Sequence, residues 1–138
     1  MHINGQYFHT IWVDKTDREQ VFVIDQTKLP FEFKFKKLKT FDDAFRAIAD
    51  MVVRGAPLIG VTAAYGIYLA TLHFKNEGSF SDYLKAHCER MKTARPTAIN
   101  LAFAVDAMFD ALKNRAFNDD LIEIVLQKAN EIKQFEID

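Results

Sequence analysis

Val53-Arg54-Gly55-Ala56-Pro57-Leu58-Ile59-Gly60 opens a run, Ala56 to Phe74, that contains no Asp, Glu, Lys or Arg. Such a run is long enough to span a bilayer. Pro57, Gly60, Thr62, Ala63, Ala64, Gly66, Ala70, Thr71 and His73 nevertheless make it small and mixed rather than strongly apolar. A helix that is apolar on every side is expected wherever several neighbours surround it. The stretch is therefore read as a buried helix of a soluble protein, and its small residues as positions where neighbouring backbones approach closely.

On the N-terminal side of that helix, Thr40 followed by Asp43 is a capping-box-like start. Phe41, Ala44, Phe45, Ile48, Ala49 and Val52 recur behind it at helical spacing. Gly55 is expected to end this first helix as its left-handed residue, and Pro57 to occupy the first position of the next. Further upstream, Tyr7 to Val13 and Gln20 to Asp25 are rich in β-branched and aromatic side chains and flank a polar turn, which predicts two antiparallel strands. After Pro30, Phe31, Phe33 and Phe35 alternate with Glu32, Lys34 and Lys36, predicting a third strand with one buried face.

On the C-terminal side, Ser79 with Asp82 is expected to cap a third helix carrying Phe80, Leu84, Cys88 and Met91 and stopping near Thr93. Pro96 is read as opening a fourth, with Ile99, Phe103, Met108, Phe109 and Leu112 directed inward. Asn118 starts a fifth, carrying Leu121, Ile122, Val125, Ile132 and Phe135. The fold class is α+β: a small antiparallel meander of three strands followed by a bundle of about five helices. It is read as a single domain over 1–138, with a β part over 1–39 and a helical bundle over 40–138. The last residues, Phe135-Glu136-Ile137-Asp138, are still within a helix-like pattern with no polar tail.

Composition narrows the function classes. With 138 residues, 49% hydrophobic and 27% charged, the chain is long enough to bury a core and far from disorder. A formal net charge of -1 supplies no general attraction to nucleic acid or anionic membranes. The basic run Lys34, Lys36, Lys37 and Lys39 is read as a solvated strand face. One cysteine, Cys88, excludes a disulfide framework, and its place on an apolar helical face makes it a buried structural thiol rather than a nucleophile. His2, His9, His73 and His87 show no metal-ligand spacing, so no metal is assigned. The first residues lack the basic and apolar blocks of a signal peptide, and a cytoplasmic location is the simplest expectation.

Two motifs carry chemistry. Arg54-Gly55-Ala56-Pro57 and Arg95-Pro96-Thr97-Ala98-Ile99-Asn100-Leu101 each set an arginine ahead of a proline at the start of an apolar helix. Helix starts leave N–H groups without intrahelical partners and carry partial positive charge, so each is a natural anion site. The arginines add bidentate, charge-assisted contacts. Thr97 and Asn100 are available to a sugar hydroxyl or carbonyl. Taken singly, each motif also fits an ordinary helix junction with a solvated arginine. Taken together, they suit one phosphorylated ligand if the fold brings them to one place. Neither contains an obvious nucleophile or general base.

These motifs, with Thr10-Ile11-Trp12, Ile24-Asp25-Gln26-Thr27-Lys28-Leu29-Pro30, Ile59-Gly60-Val61 and Ala64-Tyr65-Gly66, resemble the N-terminal domain of the methylthioribose-1-phosphate isomerases over nearly the whole chain. The resemblance implies an aldose–ketose isomerase of methionine salvage that uses no cofactor. It implies that Arg54, Gly55 and Ala56 bind the phosphate-bearing end of the sugar and that Arg95 is a second substrate contact. In that family the catalytic cysteine and aspartate belong to a second, Rossmann-like domain whose motifs are absent from these residues. Cys88 does not stand in the family's cysteine motif. The resemblance therefore assigns no catalytic residue here. It implies a chain that alone binds phosphate weakly and does not catalyse, with a phosphorylated sugar and a C-terminal catalytic domain as partners, a homodimeric parent, and neither nucleic acid nor membrane. A related branch, the alpha, beta and delta regulatory subunits of the translation-initiation exchange factor, supplies the alternative of a non-catalytic interaction module.

Overall fold

The computed structural model describes residues 2–3, 6–7, 11–14, 16–25, 34–53 and 55–136. The chain begins with a two-residue antiparallel pair, β1 (His2–Ile3) and β2 (Gln6–Tyr7). A three-stranded antiparallel sheet follows in the order β3 (Ile11–Val13), β4 (Val21–Ile24), β5 (Phe35–Leu38). Five helices complete it: α1 (Phe41–Ala49), α2 (Ala56–Leu72), α3 (Phe80–Lys92), α4 (Ile99–Leu112) and α5 (Asp119–Glu136). This is the expected α+β meander and helical bundle.

The charge-free run is the axis of the bundle. Every residue of α2 from Leu58 to Thr71 is buried, because α1, α3, α4 and α5 all pack against it. A helix enclosed on all sides has no solvent face to mark, which is why it shows no polar stripe. Its polar side chains are satisfied locally. Thr62 and Thr71 donate their hydroxyls to the carbonyls of Leu58 and Ile67, one turn back, at 2.7 and 2.9 Å. Tyr68 reaches outward, donating its hydroxyl to the Arg18 carbonyl at 2.7 Å. Arg18 in turn forms a two-pronged ion pair with Glu123 of α5, both contacts at 2.7 Å. The β3–β4 turn is thereby fastened to two helices.

The sheet pairs Ile11 with Val23 and Val13 with Val21, and its inward face joins Ile11, Val21, Val23 and Leu38 to the core. The third strand departs from expectation. Residues 31–33 lie outside the described residues, and β5 begins only at Phe35, which is 47% exposed, with Leu38 the buried member. Phe35 falls on the other face of the pleat, edge-on to Trp12 at 5.1 Å, while Trp12 stacks on Phe22 at 5.7 Å. Alternation fixes which residues share a face, but not which face is inside. The lysines of the basic run are exposed.

Helix starts follow the sequence closely at three places. Thr40 and Asp43 form a full capping box. The Ser79 hydroxyl accepts from the Asp82 N–H at 3.2 Å, and Asn118 accepts from the Leu121 N–H at 3.0 Å. α1, however, ends at Ala49, six residues ahead of the expected terminator. Met51 takes the left-handed conformation at φ +61°, and Gly55, at φ +92°, is instead the N-cap of α2. Val52 and Val53 are buried and hold the intervening link against the core. Ala49 is exposed, and Ala47 takes the inward place. Pro57 is therefore the second helical residue, not the first.

α4 and α5 also correct the reading. α4 starts at Ile99, not Pro96, because Arg95-Pro96-Thr97-Ala98 forms a turn closed by a 2.9 Å bond from the Ala98 N–H to the Arg95 carbonyl, with proline at the second position that favours such a turn. The buried face of α4 is Leu101, Ala104, Val105, Met108 and Leu112. Ile99 and Phe103, expected inside, are 82% and 64% exposed. In α5, Leu121, Val125, Leu126 and Ala129 are buried, whereas Phe135 is exposed. α4 is apolar all round in its first turns, so only its packing against α2 selects the inward face.

Candidate functional site

The start of α2 and the Arg95 turn meet because α2 and α4 approach very closely at their first turns. At Gly60 a Cβ would stand 2.9 Å from the Asn100 carbonyl oxygen and 3.4 Å from the Ala104 Cβ. The missing side chain lets the first turn of α4 lie directly on α2. A groove of about 440 Å³ results, lined by Gly55, Ala56 and Ile59 from α2 and by Arg95, Thr97, Ala98, Ile99 and Asn100 from the turn and start of α4. Its size is that of an ordinary small-molecule site.

Of the expected site residues, Gly55, Ala56 and Arg95 line this one groove, as do Thr97 and Asn100. Arg54 lies outside the described residues. Gly55 occupies φ +92°, ψ 128° with nothing near its Cα where a Cβ would be, so glycine is required there by backbone conformation and not by crowding. Both helix starts lack a side-chain cap. Their first N–H groups are consequently available to a ligand instead of being taken by a Ser, Thr or Asp.

The strongest chemical feature is Arg95. Its Nη1 is buried and has no hydrogen-bond partner among the described residues. A guanidinium nitrogen shut away from water without an acceptor costs stability. Of the lining residues the sequence reading did not place at the site, Ile59 and Ile99 are the large apolar ones. Both were hidden in apolar runs that read as core, and only the turn preceding α4, by delaying the helix to Ile99, marks the latter as a helix-start residue.

Of the other candidates, the side chains of His2 and His9 lie outside the described residues. Cys88 is 4% exposed, and burial pushes its thiol up to about 12, against the smaller opposing effect of Lys92. His87 lies 2.8 Å from the Tyr83 carbonyl through Nδ1 and edge-on to Phe41, while His73 is exposed. Among the described residues no group of three or more His, Cys, Asp or Glu side chains is placed to hold a metal ion. Among the described residues no helix is long and apolar enough to cross a membrane.

With that geometry in place, similarity to known proteins decides the family. The family model described as the Initiation factor 2 subunit family matches residues 52–137, from just ahead of α2 to the end of α5. This chain belongs to that family. Among individual members, it is 43% identical over 137 residues to a methylthioribose-1-phosphate isomerase of Desulfatibacillum aliphaticivorans, covering 99% of this chain and 37% of that protein. It is 46% identical over 114 residues to the isomerase of the same name from Escherichia coli, covering 83% of this chain and 29% of the relative. The chain thus spans about a third of the length of these relatives.

Solved structures share the fold. The 5-methylthioribose 1-phosphate isomerase of Pyrococcus horikoshii superposes with a TM-score of 0.79 at 29% identity, over 91% of this chain and 36% of that one. The delta subunit of translation initiation factor eIF-2B from A. fulgidus gives 0.80 at 25% identity, over 95% and 38%. Fold alone therefore does not separate an enzyme from a translation factor, and the choice between them falls to the groove.

Proposed function

We propose that this chain is the phosphate-gripping part of a methylthioribose-1-phosphate isomerase, which converts 5-methylthioribose 1-phosphate to 5-methylthioribulose 1-phosphate. The single observation that carries the reading is Arg95, which lines a groove between two uncapped helix starts and whose buried Nη1 has no hydrogen-bond partner among the described residues. In this reading the phosphate accepts from Arg95 and from the N–H groups at the start of α2 around Gly55 and Ala56, with Arg54 adding a second cation. Thr97 and Asn100 meet the sugar hydroxyls.

Isomerisation of an aldose to a ketose moves hydrogen from C2 to C1 and requires groups that give and take protons within hydrogen-bond reach. The described groove residues include no carboxylate, imidazole or thiol. In this reading the chain binds and orients, and the proton-transferring groups lie in the further two thirds that the relatives possess. Alone, the chain binds substrate weakly and turns over none. The same reading carries a homodimeric parent in the cytoplasm, working without a cofactor.

A second reading, a non-catalytic interaction module akin to the eIF-2B delta subunit, is favoured by the exposed Phe103 on α4, an apolar side chain without a role in phosphate binding. Titration of the 15N-labelled chain with 5-methylthioribose 1-phosphate separates the two. The enzyme reading expects fast-exchange shifts at the amides of Gly55, Ala56 and Thr97 to Asn100. Unmoved amides at millimolar ligand overturn it in favour of the interaction module.

A further inference from the structure

The link from α1 to α2 passes through two residues of positive φ, Met51 at +61° and Gly55 at +92°. Gly55 adopts such a backbone freely. Met51 does not, because a left-handed conformation sets its Cβ against the following carbonyl oxygen. Its side chain is 48% exposed and belongs to neither the hydrophobic core nor the residues packed against it, so packing gives no reason for the strain. The backbone on either side holds it. The Met51 N–H donates to the Ile48 carbonyl at 3.3 Å, the Val53 N–H reaches back to the Ala47 carbonyl at 3.2 Å, and Val52 and Val53 are buried. Among the described residues one other with a Cβ shares the conformation, Asn76, exposed at φ +58° in the link from α2 to α3. The 17 residues of α2 separate the two links by about 25 Å.

We infer that Met51 is a positioning residue for the groove: its left-handed backbone sets the path by which the chain enters α2, and with it the place of the Gly55 and Ala56 N–H groups. Met51 itself does not line the groove. The inference rests on the phosphate-gripping reading and deepens it. Backbone strain of this kind persists only where the surroundings over-determine it, and it gathers at segments that clamp ligands. A residue that resists the left-handed region pulls the link toward extended or right-handed backbone, which breaks the reach of Val53 to Ala47 and carries Gly55 out of place. The fraction of molecules with the link in place then falls, and the apparent affinity falls in proportion.

The test is calorimetric titration of the whole 138-residue chain with 5-methylthioribose 1-phosphate, with urea unfolding of each variant alongside. Met51→Val, whose branched Cβ disfavours positive φ, is expected to bind about tenfold more weakly, as for a link in place about a tenth of the time. Met51→Gly is expected to bind within about twofold of the native chain, since glycine takes the left-handed region freely. Asn76→Val carries the same backbone penalty at the far end of α2 and is expected to lower the urea midpoint while keeping the native affinity. An unaltered far-ultraviolet spectrum verifies folding, and Met51→Thr, smaller and branched in the same way, replaces Met51→Val if that chain does not fold. Native affinity in Met51→Val, a loss in Met51→Gly as large as in Met51→Val, or an equal loss in Asn76→Val overturns this inference and leaves the phosphate reading standing. No binding by the native chain overturns the phosphate reading and this inference with it.

Discussion

Gly60 and Asn100 set the spacing of the two helices that form the groove: where Gly60 lacks a side chain, the Asn100 carbonyl oxygen lies 2.9 Å from the position a Cβ would take. The contact partner is backbone, so it cannot swing aside. Any side chain at residue 60 must push α4 away from α2 and carry Arg95 to Asn100 with it.

Gly60→Val is expected to destabilise the fold by about 1–3 kcal/mol, the usual cost of overpacking a close-packed core. Equilibrium urea unfolding measures this, and phosphate-ligand affinity is expected to fall alongside. Gly66→Ala offers a contrast. There the nearest obstacle is the terminal methyl of Met91, with the Ala44 Cβ at 3.0 Å. A flexible thioether yields more readily than a carbonyl, so the Gly66 variant is expected to lose less stability than the Gly60 variant.

Gly55→Ala is expected to weaken ligand binding more than its lack of steric conflict suggests. The φ of +92° with ψ 128° at the N-cap is strained for any residue with a Cβ, and relaxing it turns the first N–H groups of α2 away from the groove. The expected stability loss is about 1–3 kcal/mol, read in the same urea experiment.

The Cys88 thiol is expected to be silent. At 4% exposure and pushed up to about 12 by burial, its thiolate fraction at pH 8 is about one part in ten thousand, and the thiolate is the reactive form. A disulfide reagent is expected to label it in the native chain only at the rate of unfolding, and at once in denaturant. Rapid labelling of the folded chain would refute the burial argument.

Acid weakens the fold through two carboxylates. The Arg18 guanidinium hydrogen-bonded to Glu123 holds that carboxyl below its usual value, and the hydrogen bond from Gln20 does the same for Asp17. A carboxyl whose pKa is lower folded than unfolded stabilises the fold above its unfolded value, and this stabilisation is lost as pH falls through the folded one. The melting temperature is therefore expected to decline below about pH 4.5, and Glu123→Gln to flatten part of that decline. Because the pair is solvent-exposed, the effect is small and shrinks further in high salt.

Most of the architecture was legible because it rests on local chemistry. Thr40 with Asp43 and Ser79 with Asp82 are caps that short-range hydrogen bonds dictate, and the charge-free Ala56–Phe74 run admits few places other than the middle of a bundle. What misled were features decided by neighbours. Ile99 and Phe103 have the same composition as the core, and only the seating of α4 on Gly60 turns them outward. Pro96 suits a turn as well as a helix start, and Gly55 suits a helix entry as well as an exit. At the site, the residue types at each motif were readable. Their meeting in one groove was not, because it depends on the α2–α4 crossing.

Calorimetric titration of the chain with 5-methylthioribose 1-phosphate, native against Arg95→Ala and Arg95→Lys, tests the central claim most directly. The account predicts weak but measurable native binding, at least a tenfold loss in Arg95→Ala, and partial recovery in Arg95→Lys, which restores the charge without the two-pronged geometry. Equal affinity in all three proteins, or none in the native chain, would contradict it.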